Sequence, residues 1–328
     1  MKQLRLGTIG SGEIVRHILS AVGKTEGISL EAVYSRSEEK GRSFAADYGV
    51  DKVYTELGAF LADEDIDLVY IASPNILHYS YAKQALLAGK NVLCEKPFCT
   101  KAEQARELVA LAKEKGLLLV EAVPTTYLPN YLPLKESLAK IGRIRLVLGN
   151  YSQYSARYEK LIHGEVTNVF DPDFAGGCLM DINYYNVYLT LALFGRPIIA
   201  HYQPNLHSNG IDTSGIVYMK YPDFMASLAG AKDACGESFY QIEGENGCIY
   251  IKDGCNGLAE LRVVAGDSDE TVNFQPVPDR WYYEIQALTP LILNEEREAI
   301  DWRMQLMESV VELVEQLRLE AGIRFPGD

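Results

Sequence analysis

The sequence predicts an α/β protein with a doubly wound parallel sheet in residues 1–123 and a second domain, residues 124–328, built on an antiparallel sheet. Three observations predict it. Strand-like and helix-like segments alternate from Leu4 to Val120, the pattern of strands joined by crossover helices. Between Ile144 and Val264 the helical segments give way to successive strands separated by polar or glycine-bearing turns, which fits antiparallel pairing. A length of 328 residues exceeds what one hydrophobic core supports, so two domains are expected.

Leu4 to Ile9 read as a short buried strand, and Gly10-Ser11-Gly12 lead directly into IVRHILSAV, which is apolar at helical spacing. Leu30 to Tyr34, Lys52 to Tyr54, Asp67 to Ala72, Asn91 to Cys94 and Leu117 to Val120 are the further strands. Helices are expected over Glu38 to Tyr48, Ile76 to Ala88 and Glu103 to Lys115, the last two stopped by Gly89 and Gly116. The domain boundary falls near Glu121 to Tyr127. Beyond it, Gly176-Gly177 and Gly195-Arg196-Pro197 bracket a helix from about Cys178 to Phe194. Strands follow over Ile144–Tyr154, Thr213–Lys220, Phe224–Ala229, Ser238–Glu243, Cys248–Ile251 and Leu258–Val264, and a final helix runs from about Arg303 to Leu319.

Composition narrows the function classes. A hydrophobic share of 48% and a charged share of 23% are ordinary for a globular chain. The net charge of -14 argues against nucleic acid or an anionic membrane as the main partner. The amino terminus lacks a signal-peptide core, and no apolar run approaches the roughly 18 residues of a membrane span, so a cytoplasmic protein is expected. Six scattered cysteines form no C-x-x-C pair and five histidines no ligand spacing, so neither a disulfide framework nor a catalytic metal is expected.

In a doubly wound sheet, ligands bind at the carboxyl ends of the strands. Four groups converge there: Gly10-Ser11-Gly12 with Glu13 and Ile14, then Ser35-Arg36, then Ser73-Pro74-Asn75, then Glu95-Lys96-Pro97. The glycine turn opening a helix suits a dinucleotide pyrophosphate, because backbone N–H groups and the positive helix end must approach it without an intervening Cβ. The third glycine of a G-x-G-x-x-G pattern is Val15 here. Pro97 disfavours a helical backbone at Lys96 and so gives that side chain a defined direction, expected to be across the nicotinamide end of a cofactor. No Asp or Glu stands where the second strand ends. Ser35 and Arg36 occupy that position and are suited to a 2′-phosphate, so NADP is expected to be preferred over NAD.

The stretches GTIGSGEI, LVYIASPNILH (68–78), ALLAGKNVLCEKP (85–97) and FAGGCLMDINYYN (174–186) resemble the Gfo/Idh/MocA oxidoreductases over essentially the whole chain. The resemblance implies an N-terminal Rossmann domain and a C-terminal α/β domain with an open, mainly antiparallel sheet that forms a dimer or tetramer interface. It implies Lys96 as a catalytic residue and Ser73, Pro74, Asn75 and His78 as a loop at the nicotinamide ribose. The family's D-x-G-x-H segment falls on Asp181, Asn183 and Tyr185. The tyrosine is similar to the dihydrodiol dehydrogenase branch and argues against a histidine-dependent inositol-type mechanism.

On this reading the chain moves hydride between nicotinamide and a secondary alcohol or carbonyl of a sugar, polyol or dihydrodiol. Tyr185 is the candidate acid–base group. An ammonium within a few ångströms lowers a phenol from about 10 by about 1–3 units. Asp181, one helical turn before Tyr185, would orient substrate hydroxyls or Lys96. Tyr184 and Tyr188 are expected as half-buried packing residues, and Tyr151, Tyr154 and Tyr158 as packing or interface residues. Two rivals remain: a cofactor-retaining glycosidase working by oxidation and elimination, and a non-enzymatic dinucleotide sensor.

Overall fold

The computed structural model describes residues 3–328, which form two compact units: residues 3–123 with 281–308, and residues 124–280 with 309–328. The chain changes unit between Val123 and Pro124. Residues 281–308 group with the first unit, which differs from the expectation that everything after residue 123 belongs to the second domain. The reason is their packing: Glu284, Leu288 and Ile292 are buried, and Thr289 and Leu293 lie beside Gly27.

The first unit is a six-stranded parallel sheet in the order β3-β2-β1-β4-β5-β6. Its strands are β1 (Leu4–Ile9), β2 (Ile28–Tyr34), β3 (Lys52–Tyr54), β4 (Leu68–Ile71), β5 (Asn91–Glu95) and β6 (Leu119–Ala122). Its helices are α1 (Glu13–Val22), α2 (Glu38–Ala46), α3 (Leu57–Ala62), α4 (His78–Leu87) and α5 (Ala102–Lys115). All of β4 is buried, as a central strand covered on both faces requires. The strand order reverses between β1 and β4, which is where such sheets bind ligands. The short α3 was not anticipated. Its six residues include buried Phe60 and Leu61 but span too few turns to show a helical period.

The second unit is an eight-stranded sheet in the order β14-β13-β12-β11-β7-β10-β9-β8. Chain order gives α6 (Tyr131–Ser137), β7 (Ile144–Ser152), α7 (Ala156–Ile162) and α8 (Tyr184–Phe194). Next come β8 (Ile199–Leu206), β9 (Asp212–Lys220), β10 (Met225–Ala231), β11 (Phe239–Gly244), β12 (Gly247–Lys252), β13 (Leu261–Ala265) and β14 (Ser268–Val272). Pairing is antiparallel except between β7 and β10. Across seven strands, Tyr202, Val217, Leu228, Gly149, Tyr240, Ile251 and Leu261 lie in register and are buried. One residue away, His201, Tyr218, Ser227, Leu148, Gln241, Tyr250 and Arg262 form the solvent-accessible row. This period of two defines a covered and an open face.

The edge strands β8 and β14 were missed because most of their side chains are exposed, leaving little apolar signal. The chain ends with α9 (Arg280–Leu293) and α10 (Arg297–Glu320). Helix α10 starts six residues before the expected Arg303. Among the described residues no helix is long and apolar enough to cross a membrane.

Candidate active site

The carboxyl ends of β1, β2 and β4 enclose a cavity in the first unit. Gly10, Ser11, Ser35, Arg36, Ser73 and Pro74 line it; Gly12, Glu13, Ile14, Asn75, His78, Glu95 and Lys96 do not. Gly10 has φ +118°, and a Cβ there would stand 2.6 Å from the Ala72 carbonyl oxygen. No other residue fits that turn without displacing β4's exit. Gly12 precedes α1 with no side-chain cap and open space on its Cβ side, so it supplies no capping side chain to the first-turn N–H groups. Exposed Glu13 and half-buried Ile14 follow in that turn.

Both charged residues lining the cavity are cations, Arg36 and Lys40. Lys40 was missed. It sits in the first turn of α2, where the helix dipole disfavours a cation, and that misplacement was the available signal. Ser37 caps α2 by accepting from Lys40 N, and Ser35 Oγ donates to the Ser37 carbonyl at 2.9 Å. The chemistry of this set suits a phosphorylated ribose, and the glycine cradle suits the adjoining pyrophosphate.

The Lys96 loop leaves β5 through a cis Lys96–Pro97 peptide. Lys96 is half-buried between buried Glu95 and Pro97. Three side chains anchor the segment around it, one through the Glu95 carboxylate and two through the main chain. The Tyr70 hydroxyl donates to Glu95 at 2.6 Å, Glu121 accepts from Phe98 N at 2.8 Å, and His78 Nδ1 lies 2.9 Å from the Pro97 carbonyl oxygen. Burial pushes the Tyr70 phenol well up, so it remains a donor.

Two expected cofactor contacts change character here. The Glu95 carboxylate is buried and engaged with Tyr70. The His78 ring is 1% exposed with Nε2 2.8 Å from the Ser73 carbonyl oxygen, so it joins the Ser73 and Pro97 loops instead of offering a nitrogen to a ligand.

In the second unit the helix bearing the D-x-G-x-H counterpart opens with a π-helical turn, Leu179–Asn183, before α8. The expected uniform α-helix from Cys178 therefore holds only from Tyr184. Asp212 starts the segment, its Oδ2 accepting from Leu179 N and the Tyr202 hydroxyl, both at 2.6 Å. Gly177, at φ +114°, leaves room for that carboxylate; its Cβ would come within 2.1 Å of Asp212 Oδ1. Burial pushes the Asp212 carboxyl up.

Asp181 is half-exposed and paired with Lys232, a residue sequence reasoning did not single out. Tyr185 is buried, its ring 6.1 Å from that of Tyr151. The Tyr151 hydroxyl in turn accepts from Asn256 Nδ2 at 2.7 Å. Tyr184 and Tyr188 are core residues. Asn183, where the motif has glycine, fits because Gly230 faces it; a Cβ on Gly230 would stand 2.6 Å from Asn183 Cβ. Asn183 also donates to the Leu228 carbonyl at 3.1 Å and accepts from Asn186.

Comparison with known proteins matches residues 4–122 to the oxidoreductase family with an NAD-binding Rossmann fold, GFO_IDH_MocA, and residues 134–250 to the GFO/IDH/MocA C-terminal domain. The chain belongs to the Gfo/Idh/MocA family. It is thus an oxidoreductase with an NAD-binding Rossmann domain. Among Gfo/Idh/MocA relatives, the scyllo-inositol 2-dehydrogenase (NADP(+)) IolU of Bacillus subtilis is 34% identical over 326 residues, covering 99% of both chains. Human trans-1,2-dihydrobenzene-1,2-diol dehydrogenase is 27% identical over 341 residues, again 99% of both. The 3-ketoreductase KijD10 of Actinomadura kijaniata, solved with NADP and TDP-benzene, shares the fold at a TM-score of 0.84 and 23% identity, covering 97% of this chain and 98% of its own.

Proposed function

We propose that this Gfo/Idh/MocA member is an NADP-preferring dehydrogenase that oxidises a secondary alcohol of a polyol, sugar or dihydrodiol to the ketone. The observation that carries the cofactor choice is the pairing of Arg36 and Lys40 in a cavity whose lining has no carboxylate. The substrate class rests on the full-length likeness to an inositol dehydrogenase and to dihydrodiol dehydrogenases.

Gly10, Ser11 and the first-turn N–H groups of α1 would hold the pyrophosphate, and Ser35, Arg36 and Lys40 the 2′-phosphate. Ser73, Pro74 and Asn75 would border the ribose beside the nicotinamide. The bound nicotinamide supplies the hydride acceptor; the protein supplies position and charge. Tyr185 accepts the proton of the substrate hydroxyl as the carbonyl develops, and the Lys96 ammonium favours the anionic oxygen through charge. Asp181 accepts hydrogen bonds from neighbouring substrate hydroxyls. The enzyme is proposed to act in the cytoplasm, as a homodimer or homotetramer formed through the open face of the second unit's sheet.

A panel of inositols, aldoses and trans-dihydrodiols, offered with NADP and with NAD and followed at the reduced nicotinamide band, tests the reading. Stoichiometric release of free NADPH is expected. Cleavage of glycosides without such release would replace the dehydrogenase by the cofactor-retaining glycosidase, and tight cofactor binding with no turnover on any substrate would leave the sensor.

A further inference from the structure

We propose that Lys232 is a positioning residue for the reaction: it holds Asp181 as an ionised, oriented acceptor for substrate hydroxyls. The inference rests on the reading of Asp181 as a substrate-orienting group. The two members of the pair differ in access. Asp181 has 30% of its side chain exposed, whereas Lys232 has 8% and lies sealed behind it. A substrate therefore meets the carboxylate and not the ammonium.

Lys232 is itself fixed from several sides. It follows β10 directly, and its N–H donates to the Thr213 carbonyl while its own carbonyl accepts from Ser155 N, both at 2.9 Å. Its Nζ stands 5.7 Å from the centre of the Phe170 ring, whose face favours a cation. The adjoining Asp233 carboxylate accepts from Thr213 Oγ1 at 2.6 Å and Ser214 Oγ at 2.9 Å, so those hydroxyls orient it. The ion pair that Lys232 makes is with Asp181.

Charge balance explains why a cation stands there. Around Cys178 the carboxyl groups of Asp181, Asp212 and Asp233 gather with Lys232 as the cation among them. Without that ammonium, Asp181 would lose this ion-pair partner, which favours protonation and rotation away from the observed pose. A protonated or displaced Asp181 loses an acceptor and its direction. Substrate misplaced by about 1 Å can cost about a hundredfold in rate.

The test is a double-mutant cycle of Asp181→Asn and Lys232→Met on a substrate from the panel, with KM and kcat for substrate, KM for NADP and the thermal midpoint read for every variant. Both single variants are expected to raise the substrate KM or lower kcat by about tenfold or more while KM for NADP stays within a few-fold. The double variant is expected to be no worse than Asp181→Asn alone, because Lys232 acts through Asp181. Multiplicative effects in the double variant, or a folded Lys232→Met enzyme with wild-type kinetics, would overturn the inference while leaving Asp181's role intact. An Asp181→Asn enzyme with wild-type kinetics would instead remove the reading of Asp181, and the inference with it. Should Lys232→Met not fold, the double variant, which no longer leaves the Asp181 carboxylate without this ammonium, carries the comparison with Asp181→Asn. Kinetics equal to that variant support the coupling, and markedly poorer kinetics refute it.

Discussion

His78 and Pro97 are 19 positions apart in sequence, yet the imidazole Nδ1 lies 2.9 Å from the Pro97 carbonyl oxygen, and its Nε2 reaches the Ser73 carbonyl on the other side. A neutral ring can donate to only one of them. Burial lowers the His78 pKa below its ordinary 6.5, opposed by the two carbonyls and aided by Lys96. Burial prevails because an enclosed charge costs more than a second carbonyl contact returns. With the folded pKa depressed, the unfolded chain binds the extra proton first as pH falls. The stabilising contribution is thus complete above about 6.5 and is lost as pH drops toward the folded value. Urea midpoints at about pH 7.5 and 5.5 should fall more for the wild type than for His78→Gln. Equal shifts would show that this clamp does not titrate.

The same residue shows what the sequence conveys and what it withholds. Its motif position marked His78 as part of the site, but the fact that both its nitrogens lie against carbonyl oxygens arises only when the loops after β4 and β5 meet. Gly10 was legible because a positive φ beside a strand exit admits almost no other residue, and alternation from Leu4 to Val120 made the parallel sheet legible. The Asp181–Lys232 pair was not, since 51 positions separate them and no local pattern links a π-helical turn to the end of β10. Residues 281–308 were also hidden. The sequence reading placed no helix before about Arg303, so α9 was not foreseen, and which unit these residues join is settled by packing.

Lys96→Ala and Tyr185→Phe should each lower kcat by at least about tenfold and leave cofactor affinity within a few-fold, as expected for groups that act on the hydroxyl proton and the developing oxygen charge. Steady-state kinetics and cofactor titration on purified variants measure both quantities. Wild-type turnover in either variant would remove that residue from the mechanism.

Self-association is expected from the open face of the eight-stranded sheet. On it Ile199 and Met225, 52% and 50% exposed, both pair with Lys220, while Tyr218 at 44% lies between His201 and Ser227. Such apolar side chains joined across adjacent strands form a patch that is seldom left bare in water. Light scattering at micromolar concentration should give a multiple of 36.5 kDa. Tyr218→Glu combined with Met225→Glu should shift the mass toward the monomer. A wild-type monomer would refute the interface.

Cofactor choice gives the sharpest test of the first unit. An NAD-selective site presents a carboxylate to the ribose hydroxyls at the end of β2, and here that position carries Ser35 and Arg36, with Lys40 one turn further on. Glu31, the acid nearest along β2, is committed to Lys52 at 2.9 Å. A charge-assisted contact to a phosphate is worth roughly 1.5–3 kcal/mol, or about 10- to 150-fold in affinity. Arg36 and Lys40 are both solvent-exposed, which places each near the lower end of that range. Arg36→Ala and Lys40→Ala should therefore each weaken NADP binding by about tenfold, while NAD affinity changes by no more than about twofold. The outcome separates two contacts available to Arg36. If it stacked on adenine, its removal would weaken both cofactors alike, because adenine is common to them. If it pairs with the 2′-phosphate, the loss is confined to NADP and shrinks as salt rises. Calorimetric titration of wild type and both variants, at low and high ionic strength, should show the second pattern; equal losses for NAD and NADP would refute the phosphate contact.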